Sequence, residues 1–319
     1  MFIAVLSLVI GFALLVKGAD FFVDGASSIA KRLRIPTFII GLTIVAFGTS
    51  APELAVSMTA AIKGSNDIAI GNVVGSNIFN LLVVLGCSAA ILPLVVEKSM
   101  IKRDYPLSIG AVVLLGILSI DVFNKNGGMK ISRFDGVVLL VCFSLFMYLT
   151  IQEALKHRKE AAYEEEEQDD SNSIVKSVVI SLLGLAGIVI GGDLSVDGAK
   201  EIARFFGLSE AIIGLTIVAL GTSLPELVTS IVAAKKGESD IAIGNVIGSN
   251  IFNIFLILGV SGTILPMQVS DTYIYDIGIL LVISVLAYIP ILKTKKVARW
   301  QGITMVLVYV AYTAYLFVR

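Results

Sequence analysis

Apolar residues run through this chain in long blocks separated by short polar joints, with little of the alternation that marks strands and little of the one-sided period that marks surface helices. The blocks lie near 2–24, 36–62, 68–92, 105–122, 134–155, 174–196, 210–234, 241–265, 274–292 and 299–318. A helix needs about 20 apolar residues to cross the hydrocarbon of a bilayer. The pattern therefore predicts an all-α integral membrane protein with ten transmembrane helices.

The blocks are not independent of one another. GLTIVAFGTSAPEL, starting at Gly41, returns as GLTIVALGTSLPEL at Gly214, and the two copies continue in register to Gly86 and Gly259 with 32 identities in 46 positions. The offset is 173 residues with no gap. Such an internal repeat is read before anything else. It divides the chain into halves of five spans, 1–156 and 174–319, joined by an acidic linker at 157–173. Five is odd, so the second half enters the membrane in the opposite sense and the repeats are inverted.

Composition sharpens this picture without changing it. The chain is 56% hydrophobic and 15% charged, with a mean hydropathy of +0.93, well outside the range of soluble domains. The first 24 residues form too long an apolar run for a signal peptide, lack a basic start and read as the first span. Cys87 and Cys142 both fall inside predicted spans, where they act as small apolar residues rather than a disulfide. The single histidine, His157, sits in the charged joint, which leaves no basis for a histidine metal site or proton relay. No GxxxxGK[ST] loop is present, so neither nucleotide nor nucleic acid is an expected partner. An ion gradient is left as the energy source.

Basic residues orient the chain. With the N-terminus outside, sixteen Lys and Arg residues fall on the cytoplasmic side, including Lys31, Lys98, Lys156, Lys235 and Lys293, against seven outside. Both termini are then extracellular and the linker cytoplasmic. With no targeting segment, the default location is a prokaryotic cell membrane. The run from Ala161 to Ser173 reads as a solvated linker without the spacing of an EF-hand loop. Asp20 and Asp24 align at the repeat offset with Asp193 and Asp197; near span ends, they read as interfacial anchors rather than an ion path. Asp67 and Asp240 read as helix N-caps.

The chemistry lies in the repeats. Glu53 and Glu226 each stand inside an apolar block, where an ionised carboxylate is expensive and marks a functional site. Pro52 and Pro225 precede them and cannot donate to the carbonyls of Gly48 and Gly221, so the helix should break beside Thr49, Ser50, Thr222 and Ser223. Broken helices at corresponding places in two halves point to a transporter's binding site. The following spans carry GNVVGSNIFN and GNVIGSNIFN, which put Ser76 with Asn80, and Ser249 with Asn253, on one helical face. Alone, this stripe reads as interhelical packing. Duplicated beside a duplicated buried glutamate, it reads as a source of neutral oxygens for a hard cation.

These paired GTSxPE and GSNIFN segments resemble the alpha repeats of the sodium/calcium exchanger family, within the calcium/cation antiporter superfamily, and the resemblance covers nearly the whole chain. It implies a ten-helix inverted-repeat fold in which four repeat helices clamp the ions and the first and sixth spans slide across them. It also implies a calcium site built from the Glu53 and Glu226 carboxylates with the Thr49 and Thr222 carbonyls. One sodium site would draw on Ala46, Thr49, Glu53, Ser76 and Ser223, and its counterpart on Ala219, Thr222, Glu226, Ser249 and Ser50. Asn80 and Asn253 would close the middle. Some members carry aspartate at one of these asparagines, and potassium-dependent members do so in the second repeat; two asparagines here argue against potassium co-transport.

The expected function is antiport of Na+ against Ca2+ at a midplane site by alternating access, with both ions as substrates, the lipid bilayer as surroundings and no cofactor. A calcium/proton antiporter is the nearest alternative, disfavoured because proton-coupled relatives have asparagine where this chain has Thr-Ser pairs. An intramembrane acid-base hydrolase is more remote: such an enzyme needs its two carboxylates in unlike environments. The oligomeric state stays open, a monomer included.

Overall fold

The computed structural model describes residues 1–64, 66–120, 129–163, 174–207, 217 and 219–318. Helix α1 spans Phe2–Leu33 and ends at Arg34, which adopts a left-handed conformation with φ 55° two residues before Pro36. Helix α2 (Thr37–Thr49) and helix α3 (Ala51–Ile62) meet at Ser50 with a bend of 48°. Pro52 lies in the first turn of α3, where a missing amide hydrogen costs nothing. The break expected from the sequence is therefore a stop at Thr49 and a fresh start at Ala51.

Helix α4 (Ile68–Ile91) contains a π-helical turn over Asn80–Val84. Helix α5 (Tyr105–Ser119) follows another such turn at Met100–Asp104, and helix α6 spans Arg133–Tyr163. In the second half, α7 covers Ile174–Phe205, α8 Ala219–Gly221, α9 Leu224–Lys235 and α10 Ser239–Ile264. Helices α11 (Asp271–Thr294) and α12 (Arg299–Val318) complete the chain. Six described helices are long and apolar enough to cross a membrane on their own, and the α2–α3 pair makes a seventh. The chain is thus a multi-pass membrane protein. The predicted linker residues 164–173, the early part of the seventh predicted span at 210–216 and the Asp67 side chain lie outside the described residues.

Two very short strand pairs, which the apolar pattern does not predict, join the halves. Leu94–Val95 (β1) pairs antiparallel with Lys296–Val297 (β4), and Lys130–Ile131 (β2) with Met267–Gln268 (β3). Two residues are too few to carry an alternation.

Burial separates an inner layer from an outer one. The most apolar stretches of α10 and α4 are 94% and 72% buried, whereas those of α1 and α7 are 28% buried. The outer helices turn Phe2, Ile3, Val9, Leu182, Leu183 and Ile190 outward, as contact with lipid tails requires. Helices α1 and α7 pack antiparallel at backbone distance. A Cβ on Gly18 would stand 2.7 Å from the Gly184 carbonyl oxygen, one on Gly11 2.8 Å from that of Gly191, and one on Gly198 2.7 Å from that of Ala4. These small residues recur every seven positions on both helices, the period that keeps one seam facing its partner along a left-handed pair.

Candidate ion-binding site

The two helix breaks have the same backbone. Ser50 has φ −83° and ψ 6°, and Ser223 has φ −93° and ψ 6°. Each break starts a helix whose first turn carries the glutamate, so both carboxylates project inward where the helices stop and restart. Glu53 is 1% exposed and Glu226 fully buried, and they lie close enough to repel each other.

The hydroxyls at the breaks cross over between the halves. Ser50 Oγ donates to Glu226 Oε1 at 2.9 Å, and Ser223 Oγ donates to Glu53 Oε1 at 2.9 Å. Ser223 Oγ also lies 3.1 Å from Ser76 Oγ, which brings the stripe on α4 into the cluster. Thr49 is fully buried, and Thr222 hydrogen-bonds through its side chain to Glu53. Ala46 is buried on the last turn of α2, and Ala219 opens α8; the Ala219 side chain lies outside the described residues. Ser76, Asn80, Ser249 and Asn253 are all buried on α4 and α10, with Asn80 opening one π-helical turn and Asn253 second in the matching turn. Such turns in a membrane helix free backbone groups and recur at functional sites.

Buried polar atoms nearly always find partners, and here several oxygens do not. Glu53 Oε2, Glu226 Oε2, Asn80 Oδ1, Ser249 Oγ and Asn253 Oδ1 are buried with no protein hydrogen bond. All five are oxygens able to accept or coordinate, and two carry the site's charge. Among the described residues, no three or more His, Cys, Asp or Glu side chains form a metal cluster. A cation in this cluster would thus take two carboxylates and otherwise neutral oxygens. That donor set suits Ca2+ or Na+ and is poor for zinc or copper, which favour nitrogen and sulfur.

Sequence reasoning missed a second set of asparagines that holds this cluster in shape. Asn245 Nδ2 donates to Ser230 Oγ at 2.9 Å and to the Glu226 carbonyl at 3.4 Å, while Asn245 Oδ1 accepts from Thr49 Oγ1 at 3.0 Å. In the first half, Asn72 Nδ2 donates to Ser57 Oγ at 2.9 Å and to the Glu53 carbonyl at 3.3 Å. Asn77 and Asn250 each donate to the other's carbonyl, at 3.3 and 3.4 Å, and Asn253 Nδ2 donates to Asn77 Oδ1 at 2.9 Å. A signal was available: Asn72 precedes Ser76 and Asn80 at intervals of four, on the same helical face.

Buried paired carboxylates at two matched helix breaks, inside a polytopic helical membrane protein, define an ion transporter. The family described as "Sodium/calcium exchanger protein" matches residues 3–152 and 176–318, and the chain belongs to it. This is a family of exchangers, not of enzymes. The chain is 40% identical to the putative antiporter CaxA of Alkalimonas amylolytica over 326 residues, covering 99% of each. It is 35% identical to the sodium/calcium exchanger MaX1 of Methanosarcina acetivorans over 345 residues, covering 98% of each. Among solved structures, the sodium-calcium exchanger NCX_Mj soaked with 10 mM Na+ and 10 mM Sr2+ superposes with a TM-score of 0.84 at 36% identity, covering 98% of each chain.

Proposed function

We propose that this protein exchanges Na+ for Ca2+ across the cell membrane by alternating access to the Glu53 and Glu226 cluster. The observation that carries the reading is the set of buried, unpartnered oxygens around two carboxylates whose other oxygens are held by crossed serine hydroxyls. Two carboxylates neutralise one Ca2+. Sodium would use the same carboxylates through two flanking shells, with Ala46, Thr49, Ser76 and Ser223 around Glu53 and with Ala219, Thr222, Ser249 and Ser50 around Glu226. Asn80 and Asn253 would close the middle. Because the shells share the glutamates, calcium and sodium exclude each other, and a shared site gives exchange.

Ten spans in two inverted halves, 1–156 and 174–319, fit the same reading. The antiparallel packing of α1 against its repeat counterpart α7 supports the inversion, and an N-terminus outside the cell follows from the placement of the basic residues. An empty site with two ionised carboxylates is costly to carry past apolar side chains, which couples movement to ion binding. The test is uptake of 45Ca2+ by purified protein in liposomes, loaded either with sodium or with protons at clamped pH. Uptake that requires internal sodium is expected. Uptake that follows the proton gradient alone would replace sodium with protons as the coupling ion.

A further inference from the structure

The halves match at the ion site and differ at the turns after α9 and α3. In the turn after α9, Lys236 reaches across to α1: its Nζ lies 2.7 Å from Asp24 Oδ1 and 3.4 Å from Asp20 Oδ1, and it donates to the Asp20 carbonyl at 3.0 Å. Two residues on, Glu238 Oε1 accepts a hydrogen bond from Ser27 Oγ at 2.6 Å. Asp24, Ser27, Lys236 and Glu238 line an open cavity of about 530 Å³ with Ser28 and Lys31. Lys17, one turn earlier on α1, also pairs with Asp20 at 3.5 Å.

At the repeat offset, Lys236 corresponds to Lys63 in the turn after α3, and Asp20 and Asp24 correspond to Asp193 and Asp197 on α7. The turns are alike, since Gly64 and Gly237 have φ of 74° and 78°. The ion pairs are not. Asp197 is held by Lys200 of its own helix at 3.1 Å, and among the described residues neither Lys63 nor Asp193 forms an ion pair. Because α1 and α7 run antiparallel, with Gly11 beside Ser195 and Gly25 beside Ser181, the two carboxylate pairs sit toward opposite ends of one helix pair.

We propose that these are alternating latches. Lys236 with Asp20 and Asp24 closes one end in the state seen here; Lys63 with Asp193 and Asp197 closes the other when the α1/α7 pair shifts against the inner helices. The inference rests on the alternating-access reading and names the contacts that define its two end states. Backbone-close packing makes α1 and α7 shift as one body, so making one latch strains the other. The groups are suited to a contact remade in every cycle: the Lys236, Asp20 and Asp24 side chains are 27%, 32% and 62% exposed, and exposed ion pairs are weak.

Disulfide trapping tests this without depending on flux. In a chain with Cys87 and Cys142 replaced by alanine, Asp24→Cys with Lys236→Cys, and separately Lys63→Cys with Asp197→Cys, are bridged in membranes with a short bis-methanethiosulfonate reagent, whose span replaces the reach of the lysine side chain. Both pairs are expected to close, although in this structure only Lys236 reaches its aspartates. In the four-cysteine chain, closing one should exclude the other. A second pair that never closes, or two that close independently, would overturn the proposal. Locking Asp24→Cys to Lys236→Cys should also stop sodium-driven calcium uptake until dithiothreitol is added. Mutually exclusive bonds in a protein showing no sodium-driven uptake would sink the ion assignment and leave the latches standing.

Discussion

The inner helices around Glu53 and Glu226 and the outer pair α1/α7 are held by opposite means. The inner cluster is fixed by buried hydrogen bonds that come in matched pairs, Ser50 to Glu226 against Ser223 to Glu53 and Asn245 to Ser230 against Asn72 to Ser57. The outer pair touches through glycine and backbone, faces lipid, and ties to the inner helices at one end through exposed charges. Buried hydrogen bonds are costly to break, and leaving one unmade costs the full desolvation of the group. Exposed ion pairs are cheap to rearrange. On the proposed alternating-access cycle, the ion site is the rigid part and the outer pair the moving one.

Breaking the inner cluster should produce the largest effect. Glu53→Gln or Glu226→Gln removes one of two charges facing a divalent ion, and losing one partner of a buried charge pair costs about 3–5 kcal/mol, or at least about a hundredfold in calcium uptake. The same variants relieve repulsion between the carboxylates, so without ions their melting temperature should equal or exceed that of the parent. Retained uptake in both would count decisively against this site.

Separating the outer pair comes next. Gly184→Ala places a methyl 2.4 Å from the Phe22 amide nitrogen, which forces the helices apart. Uptake should fall by roughly tenfold while calcium binding in detergent stays within about twofold, because close packing of small residues, not the ion site, is lost. A matching loss of binding would show that the two regions are not separable.

Asn245→Ala removes the acceptor of Thr49 and the donor to Ser230, all buried. Unmet groups of this kind cost about 1–3 kcal/mol, so calcium affinity should fall by roughly 5- to 100-fold. Asn72→Ala, at a half-buried position, should sit at the low end of that range. Ser50→Ala and Ser223→Ala each delete a hydrogen bond to a carboxylate, worth about 1.5–3 kcal/mol, and should lower calcium affinity within the same range. Ser223, which also reaches Ser76, should be the worse of the two in a calcium titration.

Much of this was legible in the sequence because the physics of the membrane leaves few options. A glutamate after a proline within an apolar block, present twice, marks a break and a charge that must have a purpose, and the structure puts both breaks at the predicted serines. The positioning asparagines were harder to read, since an amide in a glycine-rich helix serves equally as packing glue, and only the fold shows that Asn245 spans from Thr49 to Glu226. Asp20 and Asp24 read as interfacial anchors, and their contact with Lys236 was not legible. The lysine itself lies more than 200 residues away, beyond any local pattern.

The most direct test of a single site shared by both ions is equilibrium binding of 45Ca2+ to the purified protein against rising sodium. Sodium is expected to displace calcium completely and more steeply than one-for-one, and Glu53→Gln to abolish the sodium-sensitive binding. Calcium that stays bound at saturating sodium, or binding untouched by Glu53→Gln, would contradict a shared site.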